Sequence, residues 1–175
     1  EKISAHLTSG QLVILESTVG PGTTEILVKG ILEKGSGLEA GKDFFLGFSP
    51  ERIDPGNPVW NAANIPKLIS GINPMSLEHV SRFYGSLGVP TISVSSPIIA
   101  EFAKLFENVF RYVNIGLVND FARSLAQVGV DVREVLASAG TKPFGYMSFS
   151  PGPGIGGHCL PVDPEYLQDF LRHAV

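Results

Sequence analysis

Cysteine is nearly absent: Cys159 is the only one in 175 residues. A single thiol forms no internal disulfide. That excludes the disulfide-stapled secreted class, fits a reducing compartment and makes the cytoplasm the expected location. Charge of one sign is not concentrated anywhere. Thirteen basic and 17 acidic residues give a net charge of −4 without a block of like charge, which argues against nucleic acid or an anionic membrane surface as a partner. No run of about 18 apolar residues occurs, so no membrane span is expected. No metal site is expected either. The opening "EKISAHLTSG" lacks the shape of a signal peptide and starts as though inside a helix, so the chain reads as a piece of something longer.

What is present is apolar material for a core, 43% of the residues, well outside the disordered class. Short apolar runs bounded by turn residues predict strands at 11–17, 43–50, 66–71 and 89–96. Between them, "TTEILVKGILEK" (23–34) predicts a helix capped by Thr23 or Thr24 and ended by Gly35. "NPMSLEHVSRFYGSL" (73–87) predicts another, with proline at its first position. Residues 51–65 read as a loop. Alternating strands and helices argue for a parallel sheet. From Pro97 to about Gln127 the pattern changes. Apolar residues recur at 98, 102, 105, 109, 113 and 117, which predicts one long helix suited to a connector or an oligomer core. A helix at 131–140, a loop over 141–162 and a short helix from about Asp163 complete the reading. The expected division is an α/β part over 1–96 and a mostly helical part over 97–175.

The chemistry-bearing candidates each have a plain structural explanation beside the functional one. A lone cysteine is ordinarily a small buried apolar residue. Cys159, however, lies in "PGPGIGGHCLPVDP" (151–164). Gly154, Gly156 and Gly157 let a ligand approach the backbone, and prolines 151, 153, 161 and 164 stiffen the frame; His158 could lower the thiol pKa, but adjacent side chains often point apart. A core cysteine needs none of these. "GPGIGG" (152–157) formally matches a dinucleotide fingerprint, but it follows no strand and opens no βαβ unit, so it is rejected as one. Lys104 and Asn108 are four apart and share a helix face. They are either solvated or the cation and amide of an oxyanion site. Thr18 in "ESTVGPGTTE" and Glu51 and Arg52 in "SPERIDPGN" follow strand ends, where open α/β sheets bind ligands. Turn chemistry and a solvated ion pair are the alternatives there.

Four stretches in order, "ESTVGPGTTE", "FSPERIDPGN", "AKLFENVFRYVNIGLVND" and "TKPFGYMSFSPGPGIGGHCLPVDPEYL", resemble the UDP-glucose/GDP-mannose dehydrogenase family of nucleotide-sugar 6-dehydrogenases. The wording looks most like the branch that acts on UDP-N-acetylglucosamine, with the UDP-N-acetylmannosamine and UDP-glucose enzymes as near alternatives. The resemblance implies the C-terminal part of a Rossmann-like, parallel-sheet NAD-binding domain, then a long central helix and a helical dimerisation region. It also implies that the glycine fingerprint and the UDP-binding half lie elsewhere. In such enzymes the sugar C6 alcohol is oxidised to a carboxylate with two NAD+ in succession. By resemblance Cys159 is the nucleophile and Lys104 stabilises the oxyanion with Asn108 beside it. Asp163 assists through Lys104 and water. Thr18 and Glu51 hold a water and, like Cys159, lie near the cofactor. Glu51, Arg52, Lys104, Asn108 and the backbone from Phe149 through Gly154, Gly156 and Gly157 take the substrate. A homodimer through the central helix is implied, and polysaccharide precursor supply is the implied pathway.

Two departures from the family pattern stand out: Val19-Gly20 precedes Pro21, and "YMSFS" (146–150) is less aromatic than usual. Neither removes a catalytic group. Two other readings compete: an inactive dimerisation module, and a hydroxyacid or 6-phosphogluconate-type dehydrogenase with a helix-borne lysine and asparagine. The latter needs no thiol.

Overall fold

The computed structural model describes residues 2–54, 56–157 and 159–174, without the side chains of Cys159, His173 and Ala174. The chain falls into two units, residues 1–105 together with 166–175, and residues 106–165.

The first unit is built on a four-stranded sheet in the order β1-β2-β3-β4. The strands are β1 (Leu12–Leu15), β2 (Phe45–Phe48), β3 (Lys67–Gly71) and β4 (Thr91–Ser93). β1 and β2 are parallel, as are β3 and β4, but β3 runs antiparallel to β2. The sheet is mostly parallel, as expected, with one antiparallel pairing. The reason is the connection: a parallel pair needs a crossover that carries the chain back along the sheet, usually a helix. The described residues of 49–66 form no helix, so β3 returns in the opposite sense.

Alternation along the strands sorts the core into two faces. Leu12 and Ile14 pack with Ile69, Val80 and Tyr84 beneath helix α2 (Pro74–Ser86). On the other face Val13 joins Leu32, Phe44 and Leu46, and Leu15 joins Phe48, Leu68 and Ala100. Each of the fully buried Phe44, Leu46 and Phe48 contributes about 1.5–3 kcal/mol by leaving water. Close packing of α2 demands glycine twice. A Cβ on Gly47 would meet Val80 Cγ2 at 2.4 Å, and one on Gly71 would meet the Leu77 backbone nitrogen at 2.2 Å. Asn73 caps α2, accepting the N–H of Ser76, with Pro74 at the first helical position.

The first crossover differs from the sequence expectation in its ends. It begins as a π-wound segment, Thr23–Val28, which continues directly as α1 (Lys29–Ser36). Gly22, at φ 84°, occupies the N-cap, and Gly37, at φ 73°, ends the helix in place of Gly35. Thr23 and Thr24 do not cap. Their hydroxyls donate to Gly20 O and to Glu101.

Helix α3 (Pro97–Gln127) is one unbroken helix of 31 residues, as the periodicity predicts. In the second unit it is followed by α4 (Val132–Ala139), capped by Asp131, and by the segment 140–157. Helix α5 (Cys159–Ala174) begins earlier and runs longer than expected. Prolines suggested a loop to residue 162. Yet Pro161 falls in the first turn, where its missing N–H has no helical partner to lose, and the helix also carries Pro164 inside it. No helix among the described residues is long and apolar enough to cross a membrane.

Candidate active site

The predicted site residues divide between the two units: Thr18, Glu51, Arg52 and Lys104 in the first, and Asn108, Phe149, Gly154, Gly156, Gly157 and Asp163 in the second. Cys159 opens α5, but its side chain and His158 lie outside the described residues.

In the first unit, parallel β1 and β2 bring their carboxyl ends to one edge of the sheet. Antiparallel β3 brings its start, Lys67, to the same edge. Lys67 is buried, and its ammonium pairs with Glu16 at 3.0 Å and Glu51 at 3.7 Å. It also lies 5.3 Å from the centre of the Tyr84 ring. Glu16 accepts the Tyr84 hydroxyl at 2.6 Å. Burial works to raise the Glu16 carboxyl pKa, but the hydrogen bonds from Tyr84 and Lys67, with the ammonium's charge, hold it below the ordinary glutamate value. Burial first, and then the Glu16 carboxylate, push Tyr84 well above the ordinary phenol range. Ser49 moderates that rise, though its buried hydroxyl falls short of hydrogen-bond geometry.

Glu51 is fixed a second time. Its Oε1 accepts the N–H groups of Arg52 and Ile53, each at 2.7 Å. Arg52 turns inward and donates to Pro66 O at 2.7 Å, which closes the base of the 49–66 loop. Thr18 is half-buried, and its hydroxyl makes no hydrogen bond to a described residue. Lys104 is a half-buried cation without an ion pair or hydrogen bond among the described residues.

In the second unit Asn108 and Asp163 meet, although 55 residues separate them. Asn108 Nδ2 donates to Asp163 Oδ2 at 2.5 Å. Both are buried, Asn108 at 7% and Asp163 at 3% exposure. The bond leaves Asn108 with one N–H and its carbonyl oxygen to offer a further partner. Phe149 packs edge-on against Phe110 with ring centres 6.0 Å apart. The glycine loop is tied to α3 by Asn119, which accepts the N–H of Gly152 at 2.8 Å and donates to Gly154 O at 3.2 Å. Gly156 and Gly157 have φ of 73° and 76°, a region other residues enter only with strain.

Sequence reasoning missed three of these groups. Asn119 lies eleven residues, three helical turns, after Asn108 and so on the same face; that spacing was its signal. Lys67 became visible only with the reversed strand, and Glu101 only with the contact described below. Within the second unit an apolar cavity of about 390 Å³ is lined by Leu117, Phe121, Leu136, Met147 and Phe149 among others.

Residues 1–88 match the NAD binding domain of the UDP-glucose/GDP-mannose dehydrogenase family, and residues 99–174 match that family's central domain. The chain belongs to the UDP-glucose/GDP-mannose dehydrogenase family. The UDP-N-acetyl-D-glucosamine 6-dehydrogenase of Pseudomonas aeruginosa is 45% identical over 168 residues, 95% of this chain and 39% of that protein. Protein CapL of Staphylococcus aureus is 44% identical over the same shares. The solved UDP-D-ManNAc dehydrogenase from Pyrococcus horikoshii superposes with a TM-score of 0.87 at 38% identity, covering 95% of this chain and 40% of that one. The chain thus spans about two-fifths of the length of these dehydrogenases.

The NAD that the family domain binds fits this chain in part. The edge where β1 and β2 end offers the unbonded Thr18 hydroxyl and the twice-anchored Glu51 carboxylate, groups suited to a ribose or nicotinamide amide. The helix N-terminus at 22–24, the usual seat of a diphosphate in such folds, is already filled by the Glu101 carboxylate. The Gly22 and Thr24 N–H groups are thus already satisfied within the chain.

Proposed function

We propose that this chain carries the thiol and much of the polar site of an NAD-dependent UDP-sugar 6-dehydrogenase, with residues 1–96 as part of the cofactor domain and 97–175 as the central domain. The reaction is the four-electron oxidation of a C6 alcohol to a carboxylate. Bound NAD+ supplies the hydride acceptor for both oxidations. Among the chain's own groups, Thr18 and Glu51 hold a water near the reacting carbon, and Arg52 keeps the Glu51 loop in place. The Cys159 thiolate adds to the C6 aldehyde, forming a C–S bond and an oxyanion. The Lys104 ammonium and the free N–H of Asn108 stabilise that oxyanion. Loss of the second hydride leaves a thioester. Water then attacks, the C–S bond breaks, and carboxylate and thiol are released. Asp163 orients Asn108 and accepts a proton from the attacking water. Phe149 and the backbone at Gly154, Gly156 and Gly157 wrap the sugar diphosphate.

The observation that carries this reading is the buried Asn108–Asp163 hydrogen bond. It joins two residues that the family resemblance assigns to one site, and Asp163 lies four residues after Cys159, which opens the same helix. UDP-N-acetylglucosamine is the proposed sugar, on the wording at 51–57 and 141–159; UDP-N-acetylmannosamine and UDP-glucose are the alternatives. NADH formation by the full-length protein with each sugar nucleotide tests this. A clear preference for UDP-glucose overturns the assignment, and full activity of Cys159→Ser overturns the thiol's role.

A homodimer through α3 forms part of the proposal. Phe106, Phe110, Val113, Leu117 and Phe121 recur at helical spacing, and all are exposed, Phe106 at 67% and Leu117 at 66%. A stripe of this kind calls for a partner surface, and burying about 800 Å² per subunit would make an ordinary interface. On this reading the 175-residue chain alone is an inactive dimerisation module in the cytoplasm, serving polysaccharide synthesis when joined to the rest. Light scattering that shows a monomer across micromolar concentrations overturns the dimer.

A further inference from the structure

Two helix N-termini in the first unit exchange carboxylates. Glu101, near the start of α3, is 1% exposed. Its Oε2 accepts the N–H of Gly22 at 2.5 Å, and its Oε1 accepts the N–H of Thr24 at 2.9 Å and the Thr24 hydroxyl at 2.6 Å. In return Glu25, in the first turn of the π-wound segment, accepts the N–H of Ile98 at 3.3 Å. The first N–H groups of any helix need outside partners. Elsewhere in this chain the partner is local: Asn73 for α2 and Asp131 for α4. Gly22, at φ 84°, disfavours a capping side chain, and no N-cap side chain accepts its own backbone N–H, so the Gly22 and Thr24 N–H groups draw on a buried carboxylate 79 and 77 residues away, which is costly unless fully bonded. What only a distant acid achieves is to join the 18–24 segment to α3. Thr18 stands four residues before one anchor point, and Lys104 stands one turn beyond the other.

We infer that Glu101 is a positioning residue for the proposed oxidation: its buried carboxylate locks the Thr18 segment onto α3, so that the Thr18 hydroxyl and the Lys104 ammonium are presented in one fixed arrangement. The inference rests on the reading of Thr18 and Lys104 given above. Misplacement of a reacting partner by about 1 Å costs on the order of 10²-fold in rate, so loosening this joint registers in kcat ahead of KM.

The test is Glu101→Gln in the full-length protein. In either amide orientation one of the two backbone N–H groups loses its acceptor, while size and the other contact are kept. The expected result is a kcat lower by about 10–100-fold with KM for the UDP-sugar within about threefold, measured well below the melting transition. In a Lys104→Ala background the same substitution is expected to add less than about twofold, because coupled sites are not additive. Glu25→Gln, which keeps an acceptor for Ile98, is expected to leave kcat within about twofold. An unchanged kcat in Glu101→Gln, whatever its melting point, or full additivity with Lys104→Ala, reduces Glu101 to a helix cap and overturns the inference. Amide exchange at Gly22 and Thr24 gives a readout independent of turnover. One of the two should exchange at least about 100-fold faster in Glu101→Gln, and unchanged protection at both overturns the lock. A wild-type protein that forms no NADH with any UDP-sugar defeats the functional reading instead, and the exchange measurement still judges the lock.

Discussion

Replacing Asn108 with leucine probes the buried pair in the second unit without opening a cavity, because the two side chains have similar volume. The change removes the donor that Asp163 Oδ2 receives at 2.5 Å. A hydrogen bond to a charged acceptor contributes about 1.5–3 kcal/mol. Asp163, at 3% exposure, has little water to replace it. Against a total stability of about 5–15 kcal/mol this is a large share, and it corresponds to a fall in Tm of about 3–12 °C for a chain of this length. Asp163→Leu alone should cost a similar amount by stranding the amide. The double variant should recover most of the loss, since replacing both partners with apolar groups of like shape is nearly neutral. Urea unfolding followed by far-UV circular dichroism is the suitable assay. The single tryptophan, Trp60, lies in the other unit and would report on the wrong event. A coupling energy below about 0.5 kcal/mol, the level found between independent sites, would show that the two side chains do not interact and would remove the main support for the proposed mechanism.

The Glu16–Tyr84 pair predicts opposite pH effects at its two ends. Glu16 titrates below its ordinary 4.5 in the folded state, so its contribution is present above that value and is lost as pH falls through the lowered pKa; Glu16→Gln should shallow the acid limb of the stability profile. Tyr84 titrates above its ordinary 10.0, so its contribution holds below pH 10.0 and is lost as pH rises beyond it. Tyr84→Phe should shallow the alkaline limb, and identical alkaline limbs would contradict this. Gly71→Ala drives a Cβ to 2.2 Å from the Leu77 backbone nitrogen, where no side chain can swing aside; it should destabilise by about 3 kcal/mol or more, and a Tm within 1–2 °C of wild type, roughly 0.5 kcal/mol, would rule the clash out. Asn119→Ala frees Gly152 and Gly154 at a loss of about 1 kcal/mol per hydrogen bond. In the full-length protein it should raise KM for the UDP-sugar roughly fivefold or more with kcat little changed, and an unaltered KM would separate that loop from substrate binding.

Local patterns were legible where a local cause sets the structure. The 31-residue helix followed from an unbroken apolar period and a long stretch without proline, and α2 from Asn73 and Pro74. The sense of β3 was legible in principle, because residues 51–65 read as a loop with no helix, which a parallel return ordinarily needs; the strand–helix alternation around it hid that signal. The start of α5 was misplaced because Pro161 signals a break in general yet is neutral within a first turn. Among site residues, Lys104 and Asn108 could be paired by their spacing of four. Lys67 and Glu101 carry no local signal in the sequence. Their burial comes from partners 51 and 79 residues away in the chain, and no periodicity records such a contact.

The reversed strand alters which mutations can tune this protein. In an all-parallel sheet, new functional groups at the ligand edge come only from segments that follow strands, and insertions there lengthen loops over the site. Here the segment that precedes β3 reaches that edge as well. It is held in shape by its own amides: Asn57 accepts from Val59 and Trp60, and Asn64 clasps Asn61 and Val59. A library confined to residues 57–66 would thus vary the neighbourhood of Glu51 while leaving the β1 turn and the helical half of the protein untouched. On the proposed function, such a library would test whether this segment bears on sugar or cofactor binding through Glu51.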